Sequence, residues 1–128
     1  MTLQAIFFDM DGTLTAPWID WTKLRTAIGA TDGLGIIDYV ETLPPPQQEQ
    51  AEAVVREFEM DAAHLAPANP GLAEVFTRLD ELPLRRALIT NNHRAAMNLV
   101  IERYELSFDL CLSREDGVLK PAPDLLLI

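Results

Sequence analysis

The sequence predicts an α/β protein with a parallel sheet and a helical insertion after its first strand. Three short apolar runs have the composition of buried strands, and each ends at polar residues. Segments with the apolar spacing of amphipathic helices lie between these runs, and the longest follows the first run. Strands that alternate with helices in this order pair in parallel, and ligands bind at the carboxyl ends of such strands.

The first strand is predicted over residues 3–8 and ends directly at two carboxylates. This run is apolar and aromatic, and Asp9 and Asp11 follow it one residue apart. Gly12 and Thr13 then form a turn signal, and Gly12 allows the backbone to approach a ligand closely. Both acids are therefore expected at the edge of the sheet, where they can face a metal ion and a phosphate group.

A helical insertion is predicted over residues 17–68, between the two parts of a discontinuous core, residues 1–16 and 69–128. Apolar residues recur at helical spacing in three segments of it, around residues 21–28, 36–43 and 47–65. Three glycines break the chain after the first segment, and a run of three prolines ends the second and can also begin the third. The insertion is therefore expected to be helical.

Several conspicuous side chains are expected to have structural roles alone. Trp18 and Trp21 are expected in the core of the insertion, and the acidic face of residues 47–61 is expected in solvent. His93, at the start of a predicted helix, is expected to be a surface histidine. The loop Arg114-Glu115-Asp116 is likewise expected to be solvated.

Two helix–strand pairs are predicted after the insertion. Apolar residues at helical spacing predict helices over residues 72–79 and 97–104. Apolar runs predict strands over residues 86–90 and 108–112. Cys111 is expected to be buried in the second of these strands, as a small apolar side chain.

Four reactive side chains that are distant in the sequence are expected to meet at one edge of the sheet. Asp9 and Asp11 follow the first strand, Thr90 ends the second, and Lys120 lies in the loop after the third. The two carboxylates would repel a phosphate dianion, so a divalent cation is needed. Mg²⁺ suits hard oxygen ligands and phosphate, with Asp9 binding through its side chain and Asp11 through its backbone carbonyl.

Three motifs in this order resemble those of the haloacid dehalogenase-like hydrolases, a superfamily made up mostly of phosphatases. The matching segments are Asp9-Met10-Asp11-Gly12-Thr13-Leu14, Leu88-Ile89-Thr90-Asn91 and Lys120-Pro121-Ala122-Pro123. The resemblance extends over the whole chain and is closest to phosphoglycolate-phosphatase-like members. It implies a Rossmann-like three-layer α/β/α core, with the insertion as a small α-helical cap.

The resemblance implies a Mg²⁺-dependent phosphomonoester hydrolase that works through an aspartyl-phosphate intermediate. Asp9 would be the nucleophile, which splits one difficult displacement into two easier ones. Asp11 would protonate the leaving oxygen and later deprotonate the attacking water.

The phosphate contacts implied by the resemblance come from four further positions. Thr90 would donate a hydrogen bond to the phosphoryl group, and Lys120 would neutralise charge shared by that group and Asp9. Asn91 would offer its backbone N–H, and Gly12 would let the backbone approach the phosphate. The implied partner is a small phosphorylated metabolite, and phosphoglycolate is one candidate.

The family's fourth motif, an acidic strand end that completes the metal site, has no match before Ile128. The same part of the fold supplies the strands beside the first strand, so residues 3–8 are expected at an exposed edge. The 128-residue chain is accordingly expected to bind Mg²⁺ weakly. The open explanations are a longer protein, a fragment, or a second chain that covers the edge.

Composition sets further limits on partners and compartment. The formal net charge of −10 disfavours nucleic acid and anionic membranes as partners. A single cysteine fits a reducing compartment, the first residues lack a basic leader, and no apolar run approaches the length of a membrane span. A cytoplasmic location is expected, whereas the oligomeric state is left open.

Three other functions are alternatives to hydrolysis. A phosphomutase of the same superfamily would pass the phosphoryl group to a sugar phosphate instead of water. An incomplete fragment would bind phosphate or a partner without turnover. A signalling receiver domain would need a phospho-accepting aspartate on a middle strand, for which the helical, proline-broken residues 17–66 offer no candidate.

Overall fold

The computed structural model describes residues 2–30, 33–117 and 120. Its elements in chain order are β1 Ala5–Phe8, α1 Trp21–Ile28, α2 Ile36–Glu41, α3 Pro45–Leu65, α4 Leu72–Asp80, β2 Arg85–Ile89, α5 Arg94–Arg103, β3 Leu110–Leu112 and a 3₁₀ turn Arg114–Asp116. The predicted α/β class is confirmed. Residues 121–123 of the third motif lie outside the described residues.

The three strands form a parallel sheet in the order β1-β2-β3. Phe8 pairs with Leu88, and Leu88 pairs with Cys111, so the carboxyl ends of all three strands lie at one edge. Each strand therefore delivers the residues that follow it to the same place. Cys111 is partly rather than fully buried, and this burial raises the pKa of its thiol.

Packing beside the sheet is dominated by one apolar cluster. The rings of Phe8, Phe76 and Phe108 contact one another with centroids 5.3 to 6.0 Å apart. The buried members of this cluster come from the first motif, α3, α4, β2 and α5. They are Met10, Leu14, Ala63, Phe76, Leu88, Ala96, Met97 and Val100. The cluster holds the helices against the strands whose ends form the site.

The insertion has an apolar cluster of its own. Its buried members Leu24, Val40, Ala51 and Val55 come from α1, α2 and α3. The long helix α3 reaches both clusters, because Ala63 near its carboxyl end packs in the first. The described part of residues 17–66 contains helices and no strand, which removes the receiver-domain alternative. The boundaries of a separate cap stay a prediction.

Local sequence signals explain the helix ends. The side chain of Asp20 accepts the N–H of Lys23 at 3.0 Å and caps α1, which ends at Gly29 in the left-handed conformation with φ +80°. Helix α3 begins with prolines in its first turn, where a missing N–H costs nothing. The proline run therefore begins this helix, as the sequence allowed.

Four expectations about burial are wrong. Trp18 and Trp21 are 50% and 52% exposed and do not lie in the core of the insertion. Glu59, on the face of α3 expected in solvent, is 6% exposed, and His93 is 5% exposed. Arg114 is not solvated, since its side chain is 16% exposed and pairs with Glu59.

Within the part of the chain that the structure describes, none of the helices combines the length and apolarity needed to cross a bilayer.

Candidate active site

A cavity of about 390 Å³ lies where the strand ends face the insertion. Its walls include five of the six predicted site residues, Asp9, Asp11, Thr90, Asn91 and Lys120. The other wall belongs to the insertion, which contributes side chains of α1, α2 and α3. The predicted convergence of the three motifs is therefore present in the structure.

Asp9 is held by one of its two carboxylate oxygens. Oδ1 accepts the backbone N–H of Met10 at 2.8 Å and the Nζ ammonium of Lys120 at 3.0 Å. Lys120 is fixed in turn because Nζ also donates to the carbonyl of Ile89 at 2.8 Å. No described residue donates to Oδ2, and the side chain is 52% exposed. The second oxygen is thus free to face a ligand.

Asp11 lies deeper than Asp9, and its carboxyl group holds its proton more tightly than usual. Burial is the main cause that raises its pKa, and the negative charges of Glu59 and Asp9 add to it. The side-chain amide of Asn92 donates to Oδ2 at 3.0 Å and partly opposes this rise. A carboxyl group with a raised pKa can serve as a proton donor nearer to neutral pH.

Thr90 is buried, with 1% of its surface exposed. Its Oγ1 accepts the backbone N–H of Asn92 at 3.0 Å, and its own N–H donates to Leu112 at 3.0 Å. Among the described residues nothing accepts the hydroxyl hydrogen. The threonine can therefore donate that hydrogen into the cavity.

Asn91 and Lys120 hold each other. The Asn91 amide donates to the Lys120 carbonyl at 3.1 Å, and the Lys120 N–H donates to the Asn91 side-chain oxygen at 2.8 Å. This reciprocal pair fixes the lysine backbone beside the cavity. The sequence predicted a backbone contact from Asn91 to phosphate and did not predict this second role.

Gly12 is the predicted site residue that the cavity does not include. It has φ +79°, a conformation that favours glycine, and it lines a neighbouring pocket with Trp18 and Trp21. Its carbonyl accepts the side-chain amide of Asn69 at 3.0 Å. Gly12 therefore shapes the turn after Asp11, and its contact with phosphate stays a prediction.

A polar network in the wall of the cavity was missed by the sequence reasoning. Arg114 binds both oxygens of Glu59, with Nη1–Oε2 at 2.7 Å and Nη2–Oε1 at 2.9 Å. His93 Nδ1 lies 2.9 Å from Glu59 Oε1 and carries a hydrogen there, because a carboxylate only accepts. The network thus joins α3 to the loop after β2 and the turn after β3.

Asn92 connects this network to Asp11. Its Oδ1 accepts the backbone N–H of His93 at 2.8 Å, so its amide nitrogen must face Asp11. The orientation of the Asn92 side chain is fixed by a backbone donor and needs no assumption about an amide flip. Contacts from Glu59 through His93 and Asn92 therefore orient the Asp11 carboxyl group.

One sequence signal could have revealed Glu59. The buried positions of α3 are Ala51, Val55, Glu59, Ala62 and Ala63, so the acid interrupts an apolar stripe at helical spacing. A charged residue within such a stripe is buried only when it is paired. Its partners His93 and Arg114 lie in other elements and gave no comparable signal.

The model of the family described as haloacid dehalogenase-like hydrolase matches residues 3–128. The chain belongs to the haloacid dehalogenase-like hydrolases. It is 33% identical over 136 residues to a haloacid dehalogenase-like hydrolase domain-containing protein of Arabidopsis thaliana, and 32% identical over 133 residues to an uncharacterised hydrolase of Saccharomyces cerevisiae. These alignments cover 98% of this chain, but the chain spans only 56% and 61% of the two relatives.

Solved structures of this family share the fold. A hydrolase from Pseudomonas syringae matches with a TM-score of 0.74 at 22% identity, covering 97% of this chain and 66% of that one. A Lactobacillus plantarum protein, provisionally named a phosphoglycolate phosphatase, matches with a TM-score of 0.68 at 21% identity, covering 96% and 68%. At these identities the likeness supports the Rossmann-like α/β fold of the haloacid dehalogenase-like hydrolases.

The family's usual magnesium ion can be tested against the donors present. The side-chain oxygens of Asp9 and the backbone carbonyl of Asp11 are hard donors of the kind Mg²⁺ prefers. Among the described residues, however, no group of three His, Cys, Asp or Glu side chains gathers around one point. The donors fit an ion that keeps several of its own waters, as Mg²⁺ commonly does.

Proposed function

We propose that this site is that of a Mg²⁺-dependent phosphomonoester hydrolase that acts through an aspartyl-phosphate. The supporting observation is the pairing of two unlike carboxyl groups. Asp9 is exposed and leaves one oxygen free, whereas Asp11 is partly buried and has a raised pKa. An exposed carboxylate suits a nucleophile, and a neighbouring acid with a raised pKa suits a proton donor.

The first chemical step would form a bond between the free oxygen of Asp9 and phosphorus. The bond from phosphorus to the leaving oxygen breaks, and Asp11 gives that oxygen its proton, so that an alcohol departs. Lys120 holds the other oxygen of Asp9 at 3.0 Å and orients the attack. Thr90 donates its free hydroxyl hydrogen to the phosphoryl group.

The second step would return both acids to their starting states. Water attacks phosphorus, its proton passes to the Asp11 carboxylate, and the bond between phosphorus and Asp9 breaks to release inorganic phosphate. Mg²⁺, when bound by Asp9 and the Asp11 carbonyl, would neutralise part of the phosphoryl charge. The Asn92 amide keeps the Asp11 carboxyl group in position through both proton transfers.

Asp9→Asn is the variant that tests this proposal. With p-nitrophenyl phosphate and Mg²⁺, we expect kcat/KM to fall at least about 10³-fold, because the nucleophilic oxygen is replaced by an amide. Asp61→Asn makes the same charge change at an exposed position of α3 and should stay near the unsubstituted rate. Undiminished turnover by Asp9→Asn contradicts the proposal, and an assay of free phosphate separates hydrolysis from transfer to a second ester.

A further inference from the structure

The positive charges of the cavity are already paired. Lys120 Nζ contacts Asp9 Oδ1 at 3.0 Å, and the Arg114 guanidinium contacts both oxygens of Glu59 at 2.7 and 2.9 Å. Arg114 also donates to the Asn91 carbonyl at 3.1 Å. A new anion at Arg114 would compete with the Glu59 carboxylate, whose side chain is 8% exposed.

No further cation is available among the cavity walls. All ten lysine and arginine residues of the sequence fall within the described residues, and Lys120 and Arg114 are those that line the cavity. Lys120 already serves Asp9 and would serve the phosphoryl group. A second anionic group on the ligand would therefore find no unpaired lysine or arginine among the described residues that line the cavity.

The wall opposite the strand ends is apolar and acidic. Trp21, Ile36, Ile37 and Val55 supply apolar surface, and the exposed Asp38 supplies a carboxylate. Asp38 forms no ion pair with any of the described lysines and arginines. A hydroxyl group could donate to this acid, whereas a carboxylate on the ligand would be repelled by it.

We infer that the cavity takes phosphate esters of small uncharged alcohols and discriminates against esters whose alcohol part carries a carboxylate. The inference rests on the proposed function, because it concerns the leaving group of that reaction. A site that places an unpaired carboxylate beside a ligand carboxylate discriminates against that ligand. The discrimination is stronger than in a site that only lacks a contact with it. Phosphoglycolate, the candidate suggested by sequence resemblance, belongs to the rejected class.

A matched pair of ligands tests this preference. 2-Hydroxyethyl phosphate and phosphoglycolate have the same number of carbon atoms and differ by an alcohol in place of a carboxylate. We expect calorimetric titration of the chain with Mg²⁺ to give a Kd at least about tenfold lower for 2-hydroxyethyl phosphate. Binding is read without turnover, so the result does not depend on catalytic competence.

Two variants identify the source of the preference. Asp38→Asn removes the opposing carboxylate and should reduce the Kd ratio of the two esters. Glu59→Gln releases Arg114 from a charged partner and should lower the Kd of phosphoglycolate in particular. Asp61→Asn, with the same charge change outside the cavity, should leave the ratio as it was. If Glu59→Gln does not fold, Asp38→Asn still decides the matter.

The outcomes separate this inference from the proposed function. Equal or tighter binding of phosphoglycolate overturns the inference. A Kd ratio of the two esters that Asp38→Asn leaves unchanged overturns it as well. Binding of neither ester overturns both proposals. Preferred binding of 2-hydroxyethyl phosphate supports the inference, even if p-nitrophenyl phosphate assays in parallel show no turnover and so reject the hydrolase.

Discussion

Asp11 occupies a place where water reaches its carboxyl group poorly and two other acids lie nearby. Burial raises its pKa above the ordinary value of 3.8, and the charges of Glu59 and Asp9 raise it further. A native state that raises the pKa of an acid is destabilised when that acid ionises. The group that the proposed chemistry needs as a proton donor should therefore reduce the stability of the fold at neutral pH.

The sign of this effect can be measured with Asp11→Asn. In the unsubstituted protein the contribution of Asp11 to stability is greatest below pH 3.8 and is lost as pH rises through the raised folded-state pKa. The amide of the variant cannot ionise, and its oxygen can still accept from Asn92. We expect a higher Tm for the variant at neutral pH in EDTA, with the gain shrinking toward pH 3.8. A lower Tm at neutral pH would contradict this account.

The sequence predicted which candidate site residues lie together better than it predicted the residues that contact them. Asp9, Thr90 and Lys120 could be placed together because each follows a strand, and parallel strands end at one edge. His93 precedes α5 and Arg114 lies in the 3₁₀ turn, and both contact Glu59 of α3. Such pairing depends on how α3 packs on other elements, which periodicity does not specify.

Helix α3 links the insertion to the sheet. Its Ala51 and Val55 pack in the cluster of the insertion, and its Ala63 packs in the cluster beside the sheet. Between these positions Glu59 reaches the loop after β2 and the turn after β3. The predicted bounds of this helix, about residues 47–65, lie close to the observed Pro45–Leu65. The error was Glu59, which was expected on the solvent face and is buried.

Glu59→Gln should destabilise the protein through this element. Removing one charge of a buried pair leaves Arg114 uncompensated, and we expect a loss of about 3 kcal/mol in the free energy of unfolding. Glu57→Gln changes an exposed position of the same helix and should cost less than about 0.5 kcal/mol. Urea denaturation of both variants measures the difference. Equal losses would mean that the Glu59 pair contributes nothing specific.

On the scale of the whole molecule, the proposed function requires the site to hold a phosphate against an unfavourable electrostatic field. The formal net charge is −10, so a phosphate dianion is repelled at long range. The sheet also has an exposed apolar edge as predicted, since β1 pairs with β2 alone among the described strands and Phe7 is 62% exposed. For the proposed reaction, the positive charge of Lys120 and of a bound Mg²⁺ would have to outweigh the net negative charge of the chain.

Mg²⁺ should stabilise the folded chain through Asp9. A ligand that binds only the native state stabilises it by about 1.4 kcal/mol at about ten times its Kd. We expect a rise in Tm with Mg²⁺ that EDTA reverses and that Asp9→Asn abolishes. Sodium chloride at matched ionic strength controls for screening of the net charge. An identical rise in Asp9→Asn would place the ion elsewhere.

The central claim is that Asp9 accepts a phosphoryl group, and acid-quenched mass spectrometry tests it most directly. Protein mixed briefly with p-nitrophenyl phosphate and Mg²⁺ is denatured in acid, digested and searched for a phosphoryl adduct. We predict an adduct on the peptide that contains Asp9, and none when Asp9→Asn is treated in the same way. Turnover with an adduct at another residue, or the same adduct in Asp9→Asn, would contradict the claim.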